Sequence, residues 1–377
     1  MYDAIVIGGG LLGLATAYHL VRHGINVLLV DRGHPGRATD AGAGILSPET
    51  NSRDPDAWVQ LALRAVEYYP ALVALLKTDD AGETGYARCG LLVVAATGDE
   101  RAAFAAARAQ ILDRRDRSGL PSDDDLRDVL PEEARRMFPP LAAVHGALYH
   151  RHAARVDGRL LSQALRLAAE RRGLSVMHGS VDRLIVNKNR VAGVVVDRAT
   201  VPTSRVAIAG GAWSQAFSDQ LAVPIPVQPQ RGQIIHLRKP RVDTTGWPIV
   251  HAFRGHYVVP WPDGRVVVGA TRETGSGFDP RLTAAGVREV LQEALRVAPG
   301  LADWEIHEMR VGLRPLARDG LPILGPVEGT EGVYLATGHG ATGLQLGPFS
   351  GKVIADVMLG RPADVELAPF SVSRFLG

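Results

Sequence analysis

Cysteine is almost absent: Cys89 stands alone in 377 residues. That excludes an internal disulfide framework and fits a reducing compartment, so a cytoplasmic location is expected. Lysine occurs only at 77, 188, 239 and 352, so the positive charge is nearly all arginine, a bias without functional content. A formal net charge of +2 excludes a chain built as an electrostatic trap for nucleic acid. No uninterrupted apolar run approaches the ~20 residues that span a bilayer, so no transmembrane segment is expected. Met1-Tyr2-Asp3 leads directly into the apolar run 4–7 with no basic segment before it, which reads as a strand and not as a signal peptide. No internal repeat or low-complexity stretch is found.

What is present is a chain too long for one core and suited to two domains, with 46% apolar and 22% charged residues. Residues 2–7 form an apolar run ending in glycines, 11–22 keep helical spacing, and 27–30 form a second apolar strand closed by Asp31. Strand, glycine turn, helix and strand make one βαβ unit. A Gly/Ala/Ser/Pro-rich loop follows over 34–50, and loops of that length inside a compact domain are usually functional. Helices are predicted over 56–77, 100–117 and 159–172, and strands over 86–96, 175–178, 181–186, 191–196 and 206–209. From 223 the pattern alternates, with strands over 233–237, 257–260, 266–270 and 305–311 joined too closely for helical crossovers. Antiparallel sheet is the natural reading. A strand over 333–336, a glycine-rich loop over 337–347 and a helix over 348–359 complete the chain. It visits two domains alternately.

Gly8, Gly10 and Gly13 give G-x-G-x-x-G between a strand and a helix. The first permits the tight turn, the second the approach of a pyrophosphate, the third close packing of helix on strand. The helix N-terminus offers unpaired N–H groups to the phosphates. Asp31 stands where a carboxylate can accept both ribose hydroxyls. This is a dinucleotide site, and the triplet alone does not choose between NAD and FAD.

Three further segments narrow the choice: GRATDAGAGIL over 36–46, VGLRP over 311–315 followed by DGLPILG over 319–325, and ATGHGATGLQLG over 336–347. With the fingerprint, and in this order, they resemble the D-amino-acid oxidase superfamily, particularly its glycine oxidase, sarcosine oxidase and D-amino-acid dehydrogenase branches. The resemblance implies an α/β plus α+β protein: a Rossmann-type FAD domain from 1–80, 150–222 and 312–377, and a substrate domain with a large antiparallel sheet from 81–149 and 223–311. It implies non-covalent FAD. Arg32, Arg37, Thr39, Asp40, Gly44 and Ile45 would run along the pyrophosphate and flavin, and Val181 would hold the adenine through its backbone. Gly211 and Trp213 would form a cofactor-side turn. His339, Gly340, Ala341, Thr342, Gly343 and Leu344 would present backbone N–H groups to the flavin O2 edge, where reduction places negative charge.

The resemblance further implies that Arg314 pairs with a substrate carboxylate, a task suited to a bidentate guanidinium, and that Tyr257 supplies a hydroxyl beside it. Two departures from glycine oxidases are Ala341, where an arginine is usual, and Ile45, where a methionine is. These departures leave the substrate open to amines other than glycine, and the carboxylate is expected to meet one arginine only. The implied reaction is oxidative deamination of a small amine or amino acid by hydride transfer from the α-carbon to flavin N5, giving an imine. O2, or a quinone or protein acceptor as in a dehydrogenase, would take the electrons. A flavin-bound subunit of a larger oxidase complex and a homo-oligomer are admissible. An FAD monooxygenase would need an NADPH-related motif that is not seen. His150-x-His152 lacks further metal ligands, Cys89 lies away from any flavin-attachment segment, and Ser47 and Ser214 stand in no triad order. Loops over 48–60 and 225–256 are expected to shape the pocket.

Overall fold

The computed structural model describes residues 1–51, 55–119 and 121–376. The opening βαβ unit forms as its pattern requires: strand Ala4–Ile7 is fully buried, helix Leu11–Arg22 carries Gly10 at its N-cap, and strand Val27–Asp31 lies parallel to the first. Six strands join in the order 323–326, 333–337, 206–208, 4–7, 27–31 and 175–178. All are parallel except the edge strand Ile323–Pro326. This is a Rossmann-type sheet. One face packs on helices Leu11–Arg22, Asp56–Thr78, Gly158–Arg171 and Gly343–Met358, and the other on the three-stranded meander from 181 to 202.

A second, nine-stranded sheet gathers strands from 91–95, 126–128, 146–150 and the stretch from 227 to 317. It is antiparallel except where Ile249–Ala252 runs parallel to Leu91–Ala95. Helices Pro131–Met137 and Ala284–Val297 supply one apolar face; Ala43, Ile234, Trp261 and Val267 belong to the core on the other, beside the Rossmann sheet. Strand Glu305–Ala317 is continuous, so the segment VGLRP lies inside a strand and residue 311 falls mid-strand, not at its end.

Two local readings are corrected. The expected strand 86–96 is broken at Gly90, whose φ of +75° suits a turn. The last helix begins at Gly343, inside the segment read as a loop, and carries Pro348 in its interior. Proline cannot donate to the carbonyl four residues back. The Tyr69 hydroxyl donates to that carbonyl, of Leu344, instead.

By length and composition, helix Asp56–Thr78 is apolar enough to cross a bilayer. Its residues Trp58, Leu61, Ala65, Tyr69, Leu72 and Leu76 form a buried stripe, so one face of this helix packs in the Rossmann core.

Candidate active site

The carboxyl ends of the parallel strands at Ile7, Asp31, Ile208 and Thr337 open into one cleft that runs on to the second sheet. At the first end, Gly8 has a φ of +108°, and a β-carbon there would strike the Ala209 carbonyl. A β-carbon on Gly13 would strike the carbonyl of Gly8, so the third glycine sets helix on strand and does not line the cleft. Thr39 Oγ1 accepts from the Leu11 N–H at 3.1 Å, which pins the loop after residue 36 over the helix N-terminus. One Asp31 carboxylate oxygen accepts from the Gly9 N–H; the other accepts from the Gly33 N–H and from Arg37, each at 2.7 Å. Backbone and guanidinium thus hold this carboxylate at the cleft wall.

The walls bring most of the expected residues together. Gly10, Arg32, Arg37, Thr39, Gly44, Ile45, Val181, Gly211 and Trp213 line the cleft, as do all of 339–344, Ala341 included. Trp213 stacks on His34, with ring centroids 4.9 Å apart, and Arg32 lies over its ring. Asp40 does not line the cleft: its carbonyl accepts from Arg310, 3.4 Å away. The Gly340–Thr342 turn leads into helix Gly343–Met358, aiming that N-terminus at the cleft. His339 is buried and its Nε2 lies 3.0 Å from Ser350 Oγ. Burial lowers its pKa to about 4, so it is neutral at pH 7 and leaves the helix as the positive element. An FAD-shaped group fits: a glycine turn and a ribose-type carboxylate at one end and a helix N-terminus at the other.

At the far end Arg314 and Tyr257 meet, from strands Glu305–Ala317 and Tyr257–Trp261. Arg314 donates to the Thr271 carbonyl at 2.8 Å and reaches Gln230 Oε1 at 3.5 Å, both neutral acceptors. Burial lowers its pKa, which the nearby Tyr257 oxygen opposes and the positive charge of Arg272 reinforces. Burial raises the Tyr257 pKa, so its hydroxyl keeps its proton. His251, paired in register with Tyr257, is held neutral by burial and by Arg272, with its pKa lowered to about 4.

Sequence reasoning missed Arg272 and His251. Arg272 follows a strand as one arginine among many, and no motif marks it. Only the fold carries it to Arg314, so two arginines line this end of the cleft. Of the pocket loops expected over 48–60 and 225–256, Thr50, Asn51, Gly232 and His251 line the cleft, while 52–54 lie outside the described residues. No cluster of His, Cys, Asp and Glu suited to a metal occurs among the described residues; His152 pairs with Asp125 at 2.7 Å instead.

The family model for FAD dependent oxidoreductases, DAO, matches residues 3–357. The solved structure of an iminodiacetate oxidase from Chelativorans sp. BNC1 superposes with a TM-score of 0.93 at 40% identity, covering 98% of each chain. The oxidoreductase YurR of Bacillus subtilis is 38% identical over 98% of each chain. A glycine oxidase of Pseudomonas aeruginosa is 33% identical over 97% of each. With the fingerprint, the two sheets and the cleft between them, these similarities make the chain a member of the DAO family of FAD-dependent oxidoreductases, an enzyme that oxidises amine carbon–nitrogen bonds.

Proposed function

We propose that this enzyme oxidises a small amino acid or N-substituted glycine, held by its carboxylate on Arg314. The supporting observation is a half-buried guanidinium whose two acceptors are neutral, and which forms no ion pair among the described residues. A charge withdrawn from water in this way is costly unless an anion completes it. In this reading 1–80, 150–222 and the segment after Ala317 hold the cofactor, and the nine-stranded sheet, which runs on through Arg314 to Ala317, completes the substrate end.

The chemistry FAD supplies when bound is two-electron oxidation of the substrate C–N bond to an imine, which water hydrolyses. The chain binds and orients. Arg314 fixes the carboxylate bidentately and Tyr257 donates its retained proton beside it. Asp31 and Asp182 are the only carboxylates lining the cleft among the described residues, both at the nucleotide end. No carboxylate base stands at the substrate end among the described residues, and none is required when the amine binds neutral. The N-terminus of helix Gly343–Met358 stabilises negative charge at the ring end of the cleft.

The test is anaerobic titration of the purified holoprotein with glycine, sarcosine, iminodiacetate, D-alanine and D-proline, followed by air. Bleaching of the visible flavin band by at least one is expected. Recovery in air identifies O2 as acceptor, and persistent bleaching identifies a dehydrogenase with another acceptor. If none bleaches the flavin, the proposal fails.

A further inference from the structure

We propose that Arg272 is a second carboxylate anchor and that the substrate is a small dicarboxylic amine, one carboxylate on Arg314 and the other on Arg272. The inference rests on the reading that the cleft oxidises an amino acid held by Arg314. Four observations carry it.

Arg272 lines the same cleft as Arg314, Tyr257 and His251, but it is exposed, so it stands at the mouth while Arg314 lies deep. It has no hydrogen bond or ion pair among the described residues, although Glu273 follows it in sequence. The adjacent Glu273 is committed elsewhere: to Arg231 at 2.6 Å, Gln233 at 2.6 Å and Thr271 at 2.7 Å. The guanidinium lies over the turn at Gly255, in the space a β-carbon there would take. Finally, the carbonyl that holds Arg314 belongs to Thr271, the residue just before Arg272. Arg314 is therefore tied to the backbone immediately before Arg272.

Two like charges facing one cavity repel, and that arrangement is stabilised when anionic groups sit against both. A monocarboxylate satisfies one. A dicarboxylic amine satisfies both, whether the second carboxylate hangs from the nitrogen, as in an iminodicarboxylate, or from the carbon chain, as in aspartate. Tyr257 and His251 add no negative charge, since one keeps its proton and the other is neutral.

The experiment compares binding of diglycolate and methoxyacetate to the holoenzyme by perturbation of the flavin spectrum. Both are ethers without an oxidisable amine and differ chiefly in the second carboxylate. Diglycolate is expected to bind about tenfold or more tightly, the scale of one charge-assisted pair. Arg272→Ala should collapse that ratio towards one, and Arg272→Lys should restore part of it. In turnover, the kcat/KM ratio of iminodiacetate to sarcosine should fall with the same variant. L- and D-aspartate then distinguish carbon-borne from nitrogen-borne carboxylates. Equal affinities in the wild type, or a ratio that survives Arg272→Ala, would overturn the proposal. If glycine or sarcosine bleaches the flavin but neither ether binds, only this inference falls; if no amine bleaches it, the underlying reading falls as well.

Discussion

The guanidinium of Arg314 lies over the α-carbon of Gly232 on the neighbouring strand, where a β-carbon would stand 2.6 Å or less from its nitrogens. The strands pair Gln230 with Arg314 and Gly232 with Gly312, so the contact is the diagonal one that antiparallel register creates. The missing side chain at 232 is therefore part of how the arginine is aimed. Gly232→Ala should leave the fold and flavin content intact, because a long side chain can move aside. The displaced guanidinium should raise KM for the amino acid about tenfold or more. Steady-state kinetics beside flavin content checks this; an unchanged KM would show that the arginine's position is not critical.

Removing the charge is more severe. Arg314→Ala should lower kcat/KM by about a hundredfold or more, on the scale of losing one partner of a buried charge pair, about 2–5 kcal/mol. Arg314→Lys should recover only part, since an ammonium cannot grip a carboxylate with two parallel donors. Flavin should stay bound in both variants. Kinetics indistinguishable from wild type would remove Arg314 from the site.

The nucleotide half was legible because its requirements are local. Gly8, Gly13 and Asp31 sit in one βαβ unit, and each meets a constraint that spacing alone expresses: a positive φ, a close backbone approach, a carboxylate at a strand end. The substrate half depends on contacts between distant segments. Arg314 was found through its motif, whereas Arg272 and His251 acquire meaning only when the hairpin 249–261 and the loop after Gly269 are folded beside it. The start of helix Gly343–Met358 was set late, at 348, because the glycines before Pro348 read as a loop, and the hydroxyl that compensates for the proline comes from Tyr69, far away in sequence.

Asp31 also braces the glycine turn. Asp31→Ala removes the acceptor for the Gly9 and Gly33 N–H groups and for Arg37, as well as the group expected to meet the ribose. Weakened FAD retention by about tenfold or more is expected, on the scale of one lost charge-assisted hydrogen bond. Flavin absorbance per protein after extensive dialysis measures it. Full occupancy in the variant would separate Asp31 from cofactor binding.

Stability should fall in mild acid, and the sign follows from the buried histidines. Burial holds His150, His251 and His339 at about 4, and His19 and His236 at about 3. The unfolded chain takes up these protons near pH 6.5, so their stabilisation is complete above that value and is lost as pH falls from 6.5 towards 4. Glu49 works against them. Burial raises its pKa to about 7, so its contribution is present below about 4.5 and is lost as pH rises towards 7. Five groups outweigh one, and the thermal midpoint of the holoprotein should be higher at pH 7.5 than at pH 5. His339→Asn offers the sharper check. His339 is buried against Ser350, and its share is on the order of 3 kcal/mol across the window. The variant should be less stable at pH 7.5, yet lose less than the wild type on going to pH 5. Parallel pH curves for the two proteins would mean that His339 is not held neutral by the fold.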